Sequence, residues 1–367
     1  MAIYELNKIV KFLKGKNIKQ NETLENGEFN VYSSKTKDNG IFGKLNTFIF
    51  DGEYILITSH GAYAGTVIYV NEKFSTTSNC FVLKPDNSIV NTKFLFYLLK
   101  MNQLNLNAIA KGSAQGFLSN NDLSYYSVKI PPLETQNSII DIIEPHEELF
   151  LRHNHLVRID TIENAEKDIK TLIDIIEPIE QTKNLIIQIE KKILKIYQQR
   201  KLSNVLIKDI SYKINTGFAY NKKHIEDNGK YKIFKISNIG NSLTQNQETN
   251  FMKNNLLNIG DIITGLSGTI GTSKVITSKN WVSNQRTLSL TSDYPLNISE
   301  SIKKQKTELL NIATGAAQKN ITKNNILELK LIKTYNIDLK INEIYIILTK
   351  IKKILTVLKK QILKYYF

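Results

Sequence analysis

Residues 110–115 read Ala-Lys-Gly-Ser-Ala-Gln, and residues 313–318 read Ala-Thr-Gly-Ala-Ala-Gln. The likeness continues at the same offset of 203 residues, so that Leu118-Ser119 falls on Ile321-Thr322. Similarity within one chain at a fixed offset is typical of a duplicated structural unit. These two stretches therefore predict a fold that occurs twice.

A further match lies upstream, where Ser78-Asn79 falls on Ser283-Asn284 at an offset of 205. The order of the matches is kept while the offset changes slowly, as small loop insertions between duplicated domains would produce. We therefore predict two copies of one domain, residues 1–133 and residues 201–336.

Each copy contains short runs in which apolar and polar residues alternate, bounded by Gly and Asn. Examples are Tyr54–Thr58 and Thr66–Val70 in the first copy and Lys274–Thr277 in the second. Such runs indicate β-strands, and Thr92–Gln103 indicates a helix that follows them. The predicted fold class is α+β, with a mixed β-sheet core in each of two similar domains.

A helical region follows each copy. Residues 134–200 and 337–367 are dense in Ile, Leu, Glu and Lys and contain no Gly. Pro145 and Pro178 mark places where a helix ends or restarts, because proline is tolerated best in the first turn of a helix. We predict that long helices separate the two domains.

Both helical regions carry apolar residues at the alternating three-four spacing of a coiled-coil seam. The predicted helix-pairing residues are Ile186, Ile189, Ile193 and Ile196 in the first region, and Ile344, Ile347, Ile351, Ile354 and Leu358 in the second. We expect the helices to pair as an antiparallel coiled coil. The alternative is that each helix lies on its own domain, but residues 340–367 make roughly 40 Å of helix, more than one domain needs.

The charge is distributed unevenly along the chain. The formal net charge is +15, but lysine outnumbers arginine 45 to 4, a bias that codon usage alone can produce. The two predicted domains carry +4 and +10, whereas residues 134–200 carry −4 and residues 337–367 carry +5. Two basic domains on either side of an acidic connector indicate a protein that binds a polyanion at two places.

Several functional classes are disfavoured. The single cysteine, Cys80, cannot form an internal disulfide, and the five histidines have no partners at metal-ligand spacing, so we expect no metal. No apolar run is long enough to cross a bilayer and no signal peptide is apparent, which favours a cytoplasmic protein. The sequence has no P-loop, no Rossmann glycine set and no methyltransferase motif, so we expect no cofactor and no catalytic residue.

The order of these features resembles one family, the specificity subunits of type I restriction-modification systems. The first copy carries Val31–Lys35, Gly112–Gln115 and the exit Ile130–Gln136, and the more divergent second copy carries Ile236–Ile239 and Gly268–Gly271. No single element is specific to the family. Their duplicated order over the full length is what carries the resemblance.

The resemblance implies a function and a set of partners. Each domain would be a target-recognition domain that reads one half of a bipartite, asymmetric target in double-stranded DNA. The paired helices would set the spacing between the halves and dock methyltransferase subunits. Restriction subunits would complete the complex, and methyl transfer and cleavage would belong to these partners.

Polar and basic side chains on loops are the ones that read base edges and hold phosphates. The predicted DNA-binding residues are Ser33, Ser34, Lys35, Lys37, Asn39 and Gln115 in the first domain, and Tyr220, Asn221, Lys222, Lys223, Arg286 and Gln318 in the second. Arg286 is the only arginine in either domain. The repeated Gln115 and Gln318 indicate either a DNA contact common to both domains or a hydrogen bond that fixes a turn.

Two other functional classes remain open at this stage. One is a non-catalytic adaptor whose duplicated domains bind another protein, for which the basic charge would be incidental. The other is an enzyme with a fused methyltransferase or nuclease activity, against which the missing motifs count. DNA binding that depends on salt and on base sequence separates the first from a specificity subunit, and unaided methylation or cleavage of DNA would establish the second.

Overall fold

The computed structural model describes residues 1–34, 38–110, 116–239 and 246–366. The chain divides into two compact units, of which the first contains Met1–Pro178 and the last residues from Leu363 onward. The second contains Ile179–Ile362. Each unit combines β-sheets with helices, which confirms the α+β class predicted from the sequence.

The strands of the first unit are β1 (Ala2–Glu5), β2 (Val10–Lys14), β3 (Phe29–Tyr32), β4 (Ile41–Leu45), β5 (Phe50–Thr58), β6 (Val67–Thr76), β7 (Cys80–Pro85) and β8 (Ser127–Ile130). Six of them form one sheet in the order β2-β7-β5-β6-β3-β4, and β1 pairs with β8. In β5, Ile55, Leu56 and Ile57 are all fully buried, as expected for a central strand covered on both faces. The sequence at β7 begins with Cys80, which is also buried.

The helices of the first unit are α1 (Leu6–Ile9), α2 (Thr92–Met101), α3 (Gln103–Ala110), α4 (Asn120–Ser124), α5 (Leu133–Ile143), α6 (Glu147–His153) and α7 (Ile162–Thr171). Asn91 caps α2, because its side chain accepts a hydrogen bond from the Lys93 backbone N–H (2.8 Å). The face of α2 that meets the sheet buries Phe94, Leu95 and Leu99. This amphipathic helix holds the sheet from one side.

Gln136 fixes the start of α5. Its side chain is fully buried at the start of α5 and accepts a hydrogen bond from the Asn91 backbone N–H (2.8 Å). Its amide donates to the carbonyl oxygens of Ile89 (3.0 Å) and Pro131 (2.8 Å). The start of α5 is thereby tied to Asn91, the residue that caps α2.

The strands of the second unit are β9 (Leu202–Leu206), β10 (Lys213–Thr216), β11 (Tyr231–Phe234), β12 (Glu248–Thr249), β13 (Leu256–Leu257), β14 (Ile262–Gly265), β15 (Ser273–Val275), β16 (Trp281–Ser283), β17 (Thr287–Thr291) and β18 (Lys330–Ile332). They form two four-stranded sheets, β10-β17-β14-β15 and β12-β11-β16-β13, and the pair β18-β9. The continuous β6 of the first unit therefore corresponds to two short strands, β15 and β16. Asn280, with a left-handed φ of 65°, lies in the break between them.

The helices that lie wholly or mostly in the second unit are α8 (Glu177–Gln199), α9 (Pro295–Lys304), α10 (Lys306–Ile312), α11 (Lys323–Leu327) and α12 (Asp338–Tyr366). Pro178 is the second residue of α8, but residues 162–199 form one continuous helical run, so the helix does not end or restart at this proline. A π-helical turn, Leu172–Ile176, precedes α8. A long helix is thus present in each of the two predicted helical regions, residues 134–200 and 337–367.

Helices α8 and α12 contact one another, and residues earlier in α8 contact residues later in α12. Glu190 of α8 accepts a hydrogen bond from the Thr349 hydroxyl (2.8 Å) and forms an ion pair with Lys352. Closer to the start of α8, Glu180 forms an ion pair with Lys359, nearer the end of α12. The two helices therefore run antiparallel along this contact.

Equivalent hydrogen bonds recur in the two units. Helix α4 begins with a reciprocal capping box between Ser119 and Asp122, and α11 begins with one between Thr322 and Asn325. The strand that precedes each of the long helical regions, β8 or β18, pairs with the first strand of its own domain. These matches agree with the offset of 203 residues.

The upstream sequence match, which pairs Ser78-Asn79 with Ser283-Asn284, is wrong. It is displaced by two residues from the pairing that the strands define. In the first unit β3 runs parallel to β6, with Tyr32 opposite Thr76, and in the second β11 runs parallel to β16, with Phe234 opposite Ser283. Ser283 therefore corresponds to Thr76 and not to Ser78. The Ser-Asn identity at 78 and 283 is coincidental, because the strand register and not the residue type defines the equivalent position.

Candidate nucleic-acid interface

In the first unit, three loops meet beyond the ends of the central strands. The backbone N–H of Leu118 donates to the carbonyl oxygen of Ser59 (2.9 Å), and Gly61 donates to Gly116 (3.0 Å). Gly116 has a left-handed φ of 61°, and a Cβ there would lie 2.6 Å from the Gly61 carbonyl oxygen. Ser59 in turn donates its backbone N–H to the carbonyl oxygen of Asn79 (2.9 Å).

The same loops meet in the second unit. Ile321 donates its backbone N–H to the carbonyl oxygen of Leu266 (2.9 Å), and Gly268 donates to Lys319 (3.3 Å). Leu266 donates to the carbonyl oxygen of Arg286 (2.8 Å). We call this arrangement the loop corner, formed by residues 59–61, 79 and 116–118 in the first unit and by residues 266–268, 286 and 318–321 in the second.

Arg286 and Gln318 are brought together at the loop corner of the second unit. The guanidinium Nη1 of Arg286 donates a hydrogen bond to the Gln318 Oε1 (2.9 Å), and both side chains are exposed. Arg286 has a left-handed backbone with φ 68°, which is uncommon for a residue with a large side chain. Two residues that the sequence analysis selected separately thus form one polar unit on the surface.

In the first unit, the predicted serines serve different purposes. Ser33 is buried, and its hydroxyl oxygen accepts a hydrogen bond from the Thr77 hydroxyl (3.0 Å). The Ser34 hydroxyl donates to the carbonyl oxygen of Asn79 (2.9 Å) and so joins the loop corner. Asn39 is exposed, with a left-handed φ of 53°. Ser33 therefore supports the loop, while Ser34 and Asn39 lie nearer its surface.

Three of the predicted DNA-binding residues, Lys35, Lys37 and Gln115, lie outside the described residues. Their roles stay predictions. Gln318, the counterpart of Gln115, is described, and its side-chain oxygen accepts from Arg286 across 32 residues of sequence. That bond joins two loops instead of fixing a turn within one.

Tyr220 is tied into the second unit. Its hydroxyl donates to the carbonyl oxygen of Phe251 (3.2 Å) and accepts a hydrogen bond from the Asn255 side-chain amide (2.9 Å). Burial raises the pKa of the Tyr220 hydroxyl above its ordinary value. Lys222 and Lys223, by contrast, are exposed on a short 3-10 turn and are free of such constraint.

A cluster of rings beside these lysines was not found by sequence reasoning. Phe218 packs against Phe251 with ring centroids 5.2 Å apart, and His224 lies 4.9 Å from Phe251. The Nζ of Lys253 lies 5.7 Å from the centre of the Phe218 ring. Asn221 begins the turn, its backbone N–H donating to Nδ1 of His224 (3.3 Å). The ring cluster anchors the turn that displays Lys222 and Lys223.

The predicted helix-pairing residues of α8 are placed unevenly. Ile186 is buried, and Ile189 is partly buried. Ile193 belongs to the hydrophobic cluster that also contains Ile341 of α12. Ile196, however, is 51% exposed.

The helix-pairing residues predicted on α12 differ from what the structure has. All five are exposed, by 39–63%: Ile344, Ile347, Ile351, Ile354 and Leu358. The face that α12 turns to α8 carries Tyr345, Thr349 and Lys352 instead. Isoleucine occurs on more than one face of α12, so spacing alone does not identify the contact face. The buried Glu190 requires a charged partner, and this requirement selects the face with Lys352.

A buried ion pair near the end of α8 was also missed by sequence reasoning. Asp338 is fully buried and accepts hydrogen bonds from the Arg200 guanidinium (2.6 Å), the Asn297 side chain (3.0 Å) and the Tyr335 backbone N–H (2.9 Å). Burial by itself would raise the pKa of Asp338, but these hydrogen bonds hold that pKa below its ordinary value. No local pattern could reveal the pair, since its members are 138 residues apart.

Within the described ranges, no group of His, Cys, Asp and Glu side chains is arranged to hold a metal ion. Nor does any helix in that part of the chain have the length and apolarity needed to span a bilayer.

A family model described as the type I restriction modification DNA specificity domain matches residues 1–164. A putative type I specificity subunit of Mycoplasma pneumoniae is 37% identical over 148 residues, which are 40% of this chain and 48% of that protein. The N-terminal part of another such subunit from the same organism is 35% identical over 131 residues, covering 35% of this chain and 70% of that sequence. The chain belongs to the family of type I specificity subunits.

The likeness of fold extends over the specificity subunit as a whole. This chain aligns with the crystal structure of a type I restriction-modification S subunit from M. genitalium with a TM-score of 0.58 and 15% identity. The alignment covers 100% of this chain and 96% of that one. At that identity the comparison concerns the fold alone. This specificity subunit spans about half the length of the first curated relatives it matches, 48% in two cases.

Proposed function

We propose that this chain is the DNA sequence-specificity subunit of a type I restriction-modification complex. Its target-recognition domains, residues 1–133 and 201–336, each read one half of a bipartite, asymmetric target. The observation that carries the proposal is the loop corner, which occurs once in each unit with different side chains: Asn79 beside Ser34 in one, and Arg286 beside Gln318 in the other. Duplicated sites with different reading residues suit two different half-sites.

The helical regions, residues 134–200 and 337–367, separate the recognition domains and set the spacing between the half-sites. We propose that α8 and α12 form an antiparallel coiled coil, which the contacts of Glu190 with Thr349 and Lys352 support. Helices of 23 and 29 residues are roughly 35 and 44 Å long. One turn of DNA, the usual unit of half-site spacing, is about 34 Å. The length of α8 is close to this spacing.

The exposed apolar stripe of α12 supports a docking role for the same helices. Its residues recur at heptad spacing along one face, from Ile344 to Leu358, and are exposed. Exposed apolar stripes at this spacing are used to bind partner helices. We assign the stripe to methyltransferase subunits of the complex, with restriction subunits joining them. The chain itself is non-catalytic and acts in the cytoplasm.

The charge of the two domains supports binding to double-stranded DNA. Residues 1–133 and 201–336 together hold +14 of the +15 net charge, and Lys222 and Lys223 are exposed beside the ring cluster. Lysines bind phosphates by releasing condensed counterions, which makes affinity fall as salt rises.

The experiment is DNA binding by the full chain together with its methyltransferase subunits, measured over a salt series. We expect affinity to fall by about 10³-fold or more between 50 and 200 mM salt if six or more phosphates are contacted. We also expect one bipartite sequence to be preferred. Binding with neither a salt dependence nor a sequence preference would favour the adaptor. Methylation or cleavage of DNA by the purified chain alone would overturn the non-catalytic assignment.

A genetic experiment tests the same proposal in the host. We expect deletion of the gene to remove a single bipartite methylated motif from the methylome, because the specificity subunit directs methyl transfer to one target. A methylome that is unchanged by the deletion in cells that express the complex would contradict the proposal.

A further inference from the structure

One position of the loop corner has an exposed side chain in both units and a different residue in each. Asn79 lies immediately before β7, and Arg286 lies immediately before β17. The carbonyl oxygen of each accepts a hydrogen bond from the backbone N–H of an equivalent residue, Ser59 in the first unit (2.9 Å) and Leu266 in the second (2.8 Å). The duplicated fold therefore carries these two side chains at the same place.

The strand register supports this equivalence. Two residues after the position, Phe81 of β7 lies opposite Ile57 of β5, and Leu288 of β17 lies opposite Thr264 of β14. The strands thus continue from the position in the same register in both units. A comparison of residue types hides the match, because the Ser-Asn identity pairs Asn79 with Asn284.

The chemistry of Arg286 is suited to reading a base. A guanidinium carries five N–H donors in a planar fork, and Gln318 accepts from one of them. The left-handed backbone at φ 68° is strained for arginine and is held by the bonds to Leu266 and Gln318. An exposed fork that is oriented in advance loses less conformational freedom when it binds.

Asn79 is placed by different neighbours. The Ser34 hydroxyl donates to its carbonyl oxygen (2.9 Å), and its side chain is exposed. In each unit, then, a polar side chain from a second loop fixes this position: Ser34 acts on the backbone of Asn79, and Gln318 acts on the side chain of Arg286. The two domains fix the same position by different means, as expected if they read different sequences.

We propose that this position is a base-reading position of both domains, with Arg286 reading a guanine and Asn79 reading an adenine. An arginine fork matches O6 and N7 of guanine in the major groove, and the side-chain amide of asparagine matches N6 and N7 of adenine. Gln318 is a positioning residue, because it acts through Arg286. The inference rests on the proposed function and adds the identity of one base in each half-site.

The test is selection from a duplex DNA library with randomised half-sites, using the full chain assembled with its methyltransferase subunits. The wild-type complex should enrich a split sequence that contains an invariant G·C pair in one half and an invariant A·T pair in the other. Arg286→Asn should reduce the selectivity for that G·C pair by about tenfold or more, since a bidentate contact discriminates by that amount. The other half of the sequence should be unchanged.

The reciprocal substitution provides the second arm. Asn79→Arg should shift one A·T pair of the other half toward G·C, and the double variant should show both changes. Gln318→Ala should weaken the G·C selectivity at the same pair as Arg286→Asn, by a smaller factor, while leaving all other pairs unchanged. This variant keeps Arg286 and provides a readout should Arg286→Asn fold poorly.

Lys279→Asn is the matched control, because Lys279 is an exposed cation of the same unit outside the loop corner. It removes one positive charge and should leave every base preference unchanged. If the wild-type complex enriches a bipartite sequence that Arg286→Asn and Gln318→Ala leave unchanged, the inference is wrong and the proposed function stands. If no sequence is enriched, the proposed function itself fails.

Discussion

Helix α2 of the first unit and helix α9 of the second follow equivalent strands, β7 and β17, yet they bury different kinds of side chain. The buried residues of α2 include Phe94, Leu95, Phe96, Tyr97 and Leu99, whereas those of α9 include Asn297, Ser299, Glu300 and Ser301 beside Ile298 and Ile302. The difference teaches that one duplicated architecture can be held mainly by buried apolar area or largely by buried hydrogen bonds.

The polar face of α9 forms hydrogen bonds with three neighbouring elements. The Ser273 hydroxyl of β15 donates to the carbonyl oxygen of Ser299 (2.8 Å), and the Ile332 backbone of β18 donates to the Ser301 hydroxyl (2.8 Å). Asn297 donates to the carboxylate at the start of α12 (3.0 Å). Because hydrogen bonds are directional, this core depends on correct geometry more than the apolar core of the first unit does.

The largest expected effect comes from emptying the apolar core. Phe94→Ala should lower the free energy of unfolding of the first unit by about 3–5 kcal/mol, because it leaves a cavity in a fully buried site. Urea denaturation of the full chain, with hydrogen exchange to assign the transition to β5 and β6, would measure it. The matched change in the other helix, Ser299→Ala, should cost only about 1 kcal/mol. Equal losses in both helices would contradict the contrast between the two cores.

The next effect concerns the ion pair of Arg200 with Asp338. Arg200→Ala should destabilise the second unit by about 3 kcal/mol at neutral pH, because it leaves a buried carboxylate without its charged partner. Unfolding monitored with urea at pH 7 would measure the loss. Lys208→Ala, which removes one member of an exposed ion pair with Glu328, is the control and should produce no measurable change.

The same pair has a pH dependence of definite sign. Burial opposes ionisation of Asp338, but the hydrogen bonds from Arg200 and Asn297 hold its folded-state pKa below the ordinary value of 3.8. The carboxyl therefore contributes stability that is fully present above about pH 4 and is lost as the pH falls through the folded-state pKa. We expect the acid-induced loss of stability in the second unit to be smaller in Arg200→Ala. A loss of the same size in the variant and the wild type would exclude this role for the pair.

The last pair of substitutions should lower the free energy of unfolding by the same amount in the two units. Gln136 accepts a hydrogen bond from the backbone N–H of Asn91, which caps α2, and Asn342 of α12 accepts one from the Leu296 backbone N–H in the first turn of α9 (2.7 Å). Gln136→Ala and Asn342→Ala should each cost about 1–3 kcal/mol, because each leaves buried backbone groups without a partner. Thermal unfolding of the two variants would compare them. A large cost in one unit alone would mean that the domains are joined to their exit helices in different ways.

Much of the fold could be predicted because the patterns that specify it are local. The capped starts of α4 and α11 appear as Ser119 and Thr322 at the predicted offset, and the strand runs at 54–58 and 274–277 overlap β5 and β15. The two long helices follow from the absence of glycine and the dense apolar spacing. These features depend on neighbours within a few residues, which a single sequence displays.

The remaining features depend on contacts between distant residues. The face of α12 that meets α8 is selected by Glu190, a residue far away in the sequence, so heptad counting chose the exposed face. The equivalence of Asn79 with Arg286 follows from strand register, which a chance identity obscured. For the candidate site, residue type pointed to Arg286 and the internal repeat pointed to Gln318, while their contact, and the burial of Ser33, required the structure.

Cys80, the only cysteine of the chain, begins β7 directly beside Asn79 and is 2% exposed. Burial raises the pKa of its thiol to about 12, so the reactive thiolate is scarce while the sheet is closed. A thiol reagent therefore modifies the native chain only when the strand that begins with Cys80 opens. The rate of labelling therefore measures how often that strand opens. If DNA contacts the neighbouring Asn79 as proposed, bound DNA should slow the labelling.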